Sequence, residues 1–175
     1  MAYMRARLRA PTAVQRGRGF TLVEMLTAVT VMAVLLAVAV PAFDGVRLST
    51  RLSAYANSLV AASQLARSEA IKRNATVTLC ASANGTSCAT DGKWEAGWIV
   101  VSGTTLLRAQ PAAVGGYQIH GSTLPLIYDA TGLGVNQATL TICRAEPTAG
   151  NQERVVKISA TGRTSITKTT TGTCS

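Results

Sequence analysis

One carboxylate is unusual among the residues that could do chemistry, because it lies in an apolar stretch. Glu24 is the only charged residue between Arg18 and Asp44. Placing an acid in the middle of a bilayer costs about 2.5–3.5 kcal/mol, so a functional role is the first hypothesis. If the chain is cut between Gly19 and Phe20, the new α-amine lies about one helical turn before Glu24. The sequence therefore predicts an amine–carboxylate pair, within one subunit or between neighbours. The simpler alternative places this acid at the level of the lipid headgroups.

The cysteines offer a second kind of chemistry. There are four, Cys80, Cys88, Cys143 and Cys174. No two have the C-x-x-C spacing of zinc or redox motifs, so neither a metal site nor a cofactor is predicted. Three disulfide pairings are possible in principle. Cys80 with Cys88 would close a glycine-containing loop, and Cys143 with Cys174 would fix the Thr-rich C-terminus to a strand, each contributing about 2–4 kcal/mol.

Catalytic residues are scarce. His120 is the only histidine, and it lies in an otherwise structural Tyr-Gln-Ile-His strand. The acids outside the apolar stretch are scattered singly, with none paired for acid/base work. No phosphate-binding G-x-x-x-x-G-K-[ST] loop is present. The sequence therefore predicts a protein that is not an enzyme.

The basic residues are concentrated at the start of the chain. The net charge is +9, and residues 1–19 contribute five arginines and no acid, which leaves +4 for the remainder. Positive charge before a first apolar helix stays on the cytoplasmic side. The remainder must then face outward, where disulfides persist.

The apolar stretch, residues 20–43, is long enough to cross a membrane as a helix. The run Gly-Phe-Thr-Leu-Val-Glu (residues 19–24), some twenty apolar residues and Pro41 resemble the class III signal of type IV pilins and type II secretion pseudopilins. The resemblance implies that a prepilin peptidase removes the leader, residues 1–19, by cutting between Gly19 and Phe20. It further implies an N-methylated Phe20, an assembly carboxylate at Glu24 and a helix kink at Pro41. An ordinary signal peptide cleaved near Ala37-Val38-Ala39 is the competing interpretation, but the apolar run is too long and contains an acid.

Residues 44–74 change to an amphipathic pattern. Apolar residues recur at spacings of three and four, which predicts a helix with one buried stripe, Leu48, Leu52, Tyr55, Leu59, Ala62, Ala66 and Ala70. The helix is expected to run from Phe20 to about Arg73, where two cations suit its C-terminus. Its closing run, Ala-Arg-Ser-Glu-Ala-Ile-Lys-Arg, resembles the GspH, FimT and FimU group of minor pilins and pseudopilins.

Residues 75–175 alternate apolar and polar positions and are predicted to form a β-rich globular head. Eight short strands are expected, at Ala75–Cys80, Gly97–Val101, Thr105–Arg108, Tyr117–His120, Leu124–Tyr128, Thr139–Cys143, Arg154–Ile158 and Arg163–Thr167. Glycine-containing turns separate them, and Trp94 and Trp98 are expected to anchor the small core. The predicted fold class is α+β, a long N-terminal helix packed on an antiparallel β-domain, which is the pilin fold.

The function implied by this resemblance is that of a structural subunit in a type IV pilus or a type II secretion pseudopilus, within the tip or assembly-priming complex. Its expected partners are other major and minor pilins or pseudopilins, the prepilin peptidase and the inner membrane. The precursor would cross the inner membrane once with its head in the periplasm, before joining an extracellular pilus or a periplasmic pseudopilus.

An alternative function is capture of double-stranded DNA for natural transformation. Some FimT-type pilins bind DNA through a Gly-Arg-x-Arg motif, and this chain has Gly-Arg-Thr-Ser at residues 162–165, without the second arginine. The candidate DNA-binding residues are Arg144, Arg154, Lys157, Arg163 and Lys168. Each phosphate contact would add about 0.9 to the salt slope. The simpler interpretation is a solvated, slightly basic face.

Overall fold

A computed structural model of the chain describes residues 19–121, 124–172 and 174, and for residues 40–42 only the backbone. The chain divides into an N-terminal unit that ends at Pro41 and a C-terminal unit, Ala42–Ser175. One helix, α1 (Leu22–Arg73), contributes residues to both units. Apart from Gly19, the predicted leader lies outside the described residues.

In the N-terminal unit the helix starts two residues later than expected, because Thr21 caps it. The Thr21 hydroxyl accepts a hydrogen bond from the Glu24 backbone N–H at 3.2 Å, and the Thr21 carbonyl accepts one from Met25 at 3.1 Å. A threonine followed three positions later by glutamate is a frequent signal for a helix start. The kink predicted at Pro41 stays a prediction, since its side chain is not described.

In the C-terminal unit one stripe of α1 is buried in the core. The stripe consists of Leu48, Leu52, Ala56, Leu59, Ala62, Ala66 and Ala70. The predicted stripe is thus confirmed except at Tyr55, which is half-buried beside Ala56. The helix ends at Arg73, as expected, and Asn74 follows it with a positive φ of 49°. The chain then reverses, because the Ala75 N–H donates to the Ala70 carbonyl at 3.2 Å.

Eight strands form two antiparallel sheets. Their bounds are β1 (Val77–Ala81), β2 (Trp98–Ser102), β3 (Thr105–Gln110), β4 (Tyr117–His120), β5 (Leu126–Tyr128), β6 (Ala138–Arg144), β7 (Glu153–Ile158) and β8 (Thr164–Thr169). The first sheet has the order β3-β2-β1-β5 and the second β4-β6-β7-β8. Every neighbouring pair is antiparallel.

The expected strands all form, with ends that differ from the prediction by at most two residues. β1 starts at Val77 rather than Ala75, because residues 74–76 complete the turn out of the helix. β5 starts after Pro125, which cannot donate a backbone hydrogen bond. β8 starts at Thr164 because Arg163 lies in the hairpin turn, where its carbonyl accepts the Ser159 N–H at 3.0 Å. The predicted α+β class, a long helix with an antiparallel β-domain, is confirmed.

The core of the C-terminal unit lies between the buried stripe of α1 and the inner faces of the sheets. Trp94, in a short 3-10 helix (Trp94–Ala96), and Trp98, at the start of β2, are both 1% exposed. The two tryptophans therefore anchor the core, as expected.

Both disulfides close within the C-terminal unit. Cys80 is bonded to Cys88, and Cys143 to Cys174. The second bond carries the tail from the end of β8 back to β6, and on the way the Thr171 hydroxyl donates to the Glu153 carboxylate at 2.6 Å. Cys174 is thus fixed to the second sheet.

Candidate assembly helix and basic face

The part of α1 in the N-terminal unit presents apolar side chains to its surroundings on every side. Phe20, just before the helix, is 74% exposed, and Leu22 and Val38 are exposed to a similar degree. Within the described residues, α1 is long and apolar enough to cross a membrane, with a mean hydropathy of 2.4 over its most apolar window. A helix that is apolar all round needs lipid or other helices around it.

Glu24 lies in the first turn of this helix and is exposed. Its backbone N–H is held by Thr21, and its carbonyl accepts the Thr27 hydroxyl at 3.0 Å. A negative charge is favoured at a helix N-terminus, where the backbone N–H groups carry partial positive charge. Glu24 is thus exposed in the first turn, four residues after the residue that would become the N-terminus.

Three of the five candidate DNA-binding residues are exposed on the β7–β8 hairpin. Lys157 is on β7, Arg163 in the β7–β8 turn and Lys168 on β8. Lys157 and Arg163 line a groove of about 530 Å³ with polar neighbours that include Thr139, Ser159 and Ser165. Lys168 lies on the opposite face of the sheet, because it pairs with Arg154, whereas Lys157 pairs with Ser165. We call the surface defined by Lys157 and Arg163 the basic face.

A second groove of about 400 Å³ lies between α1 and the start of β8. It is lined by Gln64, Arg67, Ser68, Ile71, Gly162, Arg163 and Thr164. Arg163 therefore borders both grooves. A Cβ at Gly162 would meet the Arg67 Cδ at 3.1 Å, so the glycine lets the stem of that arginine lie over the turn. Arg67, which is not among the candidate residues predicted from the sequence, adds a cation to this side of the hairpin.

Arg144, the fourth candidate, is buried and paired with Asp44. Its Nη1 and Nη2 donate to the two Asp44 carboxylate oxygens at 3.1 and 3.0 Å, and its Nε donates to the Thr148 carbonyl at 3.1 Å. The hydrogen bond from Arg144 lowers the pKa of the Asp44 carboxyl, and the same bond raises the pKa of the guanidinium. This ion pair joins the first residues of α1 within the C-terminal unit to the end of β6.

Arg154, the fifth candidate, joins β7 to α1. Its Nη2 donates to the Ser49 hydroxyl at 2.9 Å and its Nε to the Ser53 hydroxyl at 3.2 Å. The alternation of residues along the strand could have predicted that Arg154 is buried. Arg154 shares strand parity with Val156 and Ile158, both buried, whereas Lys157 has the opposite parity. The guanidinium of Arg154 therefore bonds within the interior of the unit, and Arg154 is not part of the basic face.

His120 is exposed and shares a hydrogen bond with the Gln118 side chain at 2.9 Å. Its ring lies near the sulfurs of Cys143 and Cys174, with all three candidate ligand atoms within 4.8 Å of one another. Because those two sulfurs are bonded to each other, the group does not present thiolates to a metal ion.

Comparison with known protein families gives two matches. The family described as type II transport protein GspH matches residues 55–162, and the prokaryotic N-terminal methylation motif matches residues 15–40. A comparison with curated proteins found no match.

Solved structures with a similar fold include two crystal structures of the type IV minor pilin FimU of Pseudomonas aeruginosa. One has a TM-score of 0.54 and 24% identity, and covers 68% of this chain and 90% of that chain. The other has a TM-score of 0.52 and 25% identity, with coverages of 66% and 92%. The minor pseudopilin EpsH from the type 2 secretion system of Vibrio cholerae has a TM-score of 0.49 and 14% identity, with coverages of 67% and 96%.

Proposed function

Because this chain belongs to the GspH family of type IV pilin-like minor pilins and pseudopilins, we propose that it is a filament subunit that assembles through its N-terminal helix. The filament is a type IV pilus or a type II secretion pseudopilus, and the subunit belongs to its priming complex at the tip. Pilins and pseudopilins are structural subunits and not enzymes, which confirms the expectation from the sequence.

The observation that carries this proposal is an outward-facing apolar helix with one carboxylate in its first turn. Glu24 lies four residues after Phe20, and both are within the region that matches the methylation motif. After cleavage behind Gly19, the methylated amine of Phe20 in one subunit neutralises Glu24 of its neighbour. The apolar side chains then exchange lipid in the inner membrane for the helices of the filament core.

The test is recovery of variants in the sheared filament fraction. Gly19→Ala blocks cleavage, and Glu24→Gln removes the charge while keeping the shape of the side chain. Both should lower recovery by about ten-fold or more. For Glu24→Gln, a ten-fold change corresponds to the loss of about 1.4 kcal/mol of interaction energy. Thr27→Ala, which alters one exposed hydroxyl in the next turn, is the matched control. Recovery of all variants at the wild-type level would contradict the proposal.

A second function, capture of duplex DNA, is favoured by one observation, the groove shared by Lys157 and Arg163. Hydroxyl and amide groups beside two exposed cations suit a phosphate backbone. In a gel-shift titration at about 50 and 200 mM salt, each lost phosphate contact reduces the slope of log affinity against log salt by about 0.9. Lys157→Ala with Arg163→Ala would flatten the slope, and Arg108→Ala, an exposed arginine on β3, would not. No shift at low salt would exclude this function.

A further inference from the structure

The outer edge of β8 is an unpaired strand edge among the described residues. β8 pairs with β7 over six residues, without a bulge, and no other described strand lies beyond it. Such an edge is a template for another strand. The tail leaves this edge open, because it crosses the sheet face from β8 towards Cys143 on β6.

The hydrogen-bond pattern shows which groups the edge offers. The Ser159 N–H donates to the Arg163 carbonyl where the hairpin closes. Antiparallel pairs alternate between bonded and non-bonded, so Ser165, Thr167 and Thr169 turn their backbone groups towards β7. Thr164, Ile166 and Lys168 therefore turn theirs outward.

The other edge strands are less suited to pairing. β4 has four residues, and β5 has three and is covered where the Val135 N–H donates to the Ile127 carbonyl at 2.8 Å. β3 has six residues, but its pairing with β2 is interrupted by a register shift at Val100 and Val101. Only β8, of the four described edges, combines length with regular pairing.

The positive charge around β8 indicates the kind of partner that this edge would accept. The exposed charged residues of the β7–β8 hairpin are Lys157, Arg163 and Lys168, and Arg67 lies beside Arg163 in the second groove. Glu153, the hairpin's acid, is 1% exposed and accepts the hydroxyls of Thr169 and Thr171. A second copy of this chain would bring like charges together, which opposes pairing.

We propose that β8 is a docking strand, which receives an extended, carboxylate-bearing segment of a different filament subunit by strand addition. This inference rests on the proposed function, because it names the contact that fixes this subunit to its neighbour. The incoming strand bonds to the backbone of Thr164, Ile166 and Lys168. Side chains on its helix side enter the second groove, where Arg67 and Arg163 meet its carboxylates, and Ile166, 40% exposed, meets an apolar one.

The test uses the full chain in cells that assemble the filament, with a photo-crosslinking residue at position 166. The matched control carries the same residue at Leu106 on β3, which is 46% exposed. We expect position 166 to give about ten-fold more product than position 106. The crosslinked peptide should belong to an acid-containing strand of another filament subunit. Lys168→Glu should lower that yield about ten-fold, and Arg108→Glu on β3 should not.

Several results would overturn the inference while the chain is still found in filaments. They are a crosslink to a second copy, a crosslink to nucleic acid, and a yield at position 166 no higher than at position 106. Absence of the otherwise stable chain from filaments would instead overturn the proposed function, and this inference with it. Formation of both disulfides in each variant shows that the C-terminal unit has folded.

Discussion

At the scale of single residues, Arg154 and Lys157 lie three positions apart on β7 and have opposite roles. Arg154 is 7% exposed and holds two serines of α1, whereas Lys157 is exposed on the outer face of the sheet. A buried arginine whose donors are satisfied stabilises a fold through those bonds and through the packing of its stem. The number of basic residues on β7 therefore overstates the positive charge that this strand exposes to a partner.

We predict that Arg154→Ala lowers the free energy of unfolding of the C-terminal unit by about 2–4 kcal/mol, because it leaves a cavity and removes the bonds to Ser49 and Ser53. Lys157→Ala, on the same strand, should change it by no more than about 0.5 kcal/mol. Urea unfolding followed by circular dichroism measures both. Equal effects of the two substitutions would show that Arg154 does not join the helix to the sheet.

The Asp44–Arg144 pair predicts a dependence of stability on pH. The pKa of the Asp44 carboxyl is lowered in the folded protein by the hydrogen bond from Arg144. As the pH falls, the Asp44 carboxyl therefore binds its proton in the unfolded chain, at about pH 3.9, before it does so in the folded protein. The contribution of the pair is complete above that pH and is lost as the pH falls through the lower, folded-state pKa.

Asp44→Asn should thus be less stable than the wild type at about pH 7, and the difference in stability should be smaller at about pH 2.5. Hydrogen bonds also lower the pKa of Glu69, from Arg73, and the pKa of Asp129, from Thr131. These two acids are present in the wild type and in the variant alike. The difference between the two unfolding curves therefore isolates Asp44. A difference that is the same at both pH values would contradict this assignment.

At the scale of elements, the strands could be predicted from alternation and the helix from its stripe. Each predicted turn that ends in glycine places that glycine at positive φ, as at Gly103 and Gly116. The sheet order could not be predicted, because β5 joins β1 across intervening strands and depends on contacts far apart in sequence. The burial of Arg144 and Arg154 could have been predicted, since strand parity places both on the same face as core residues.

The two disulfides should differ in their contribution to stability. Cys143 and Cys174 are separated by 31 residues, and Cys80 and Cys88 by 8. From the entropy of loop closure, we expect replacing the first pair with alanine to cost about 3.5 kcal/mol and replacing the second about 2.5 kcal/mol. Urea unfolding of the two double variants gives the comparison. The reverse order would mean that the tail adds little beyond its hydrogen bonds to Glu153.

At the scale of the whole molecule, the two units carry separate tasks in our proposal. The N-terminal unit supplies an apolar helix and a carboxylate for assembly. The C-terminal unit has its own buried core and two disulfides, and its exposed edge and basic face are suited to a neighbouring molecule. The sequence was informative about the first task because a short motif carries it. It was less informative about the second, which depends on side chains brought together by folding.

The most direct measurement is mass spectrometry of the N-terminus of this chain recovered from sheared filaments. We expect the chain in that fraction to begin at Phe20, with one methyl group on its α-amine and the helix intact. A chain that begins after Ala39, or that is absent from the filament fraction, would contradict assembly through the N-terminal helix. The first of these results would identify residues 1–39 as an ordinary signal peptide.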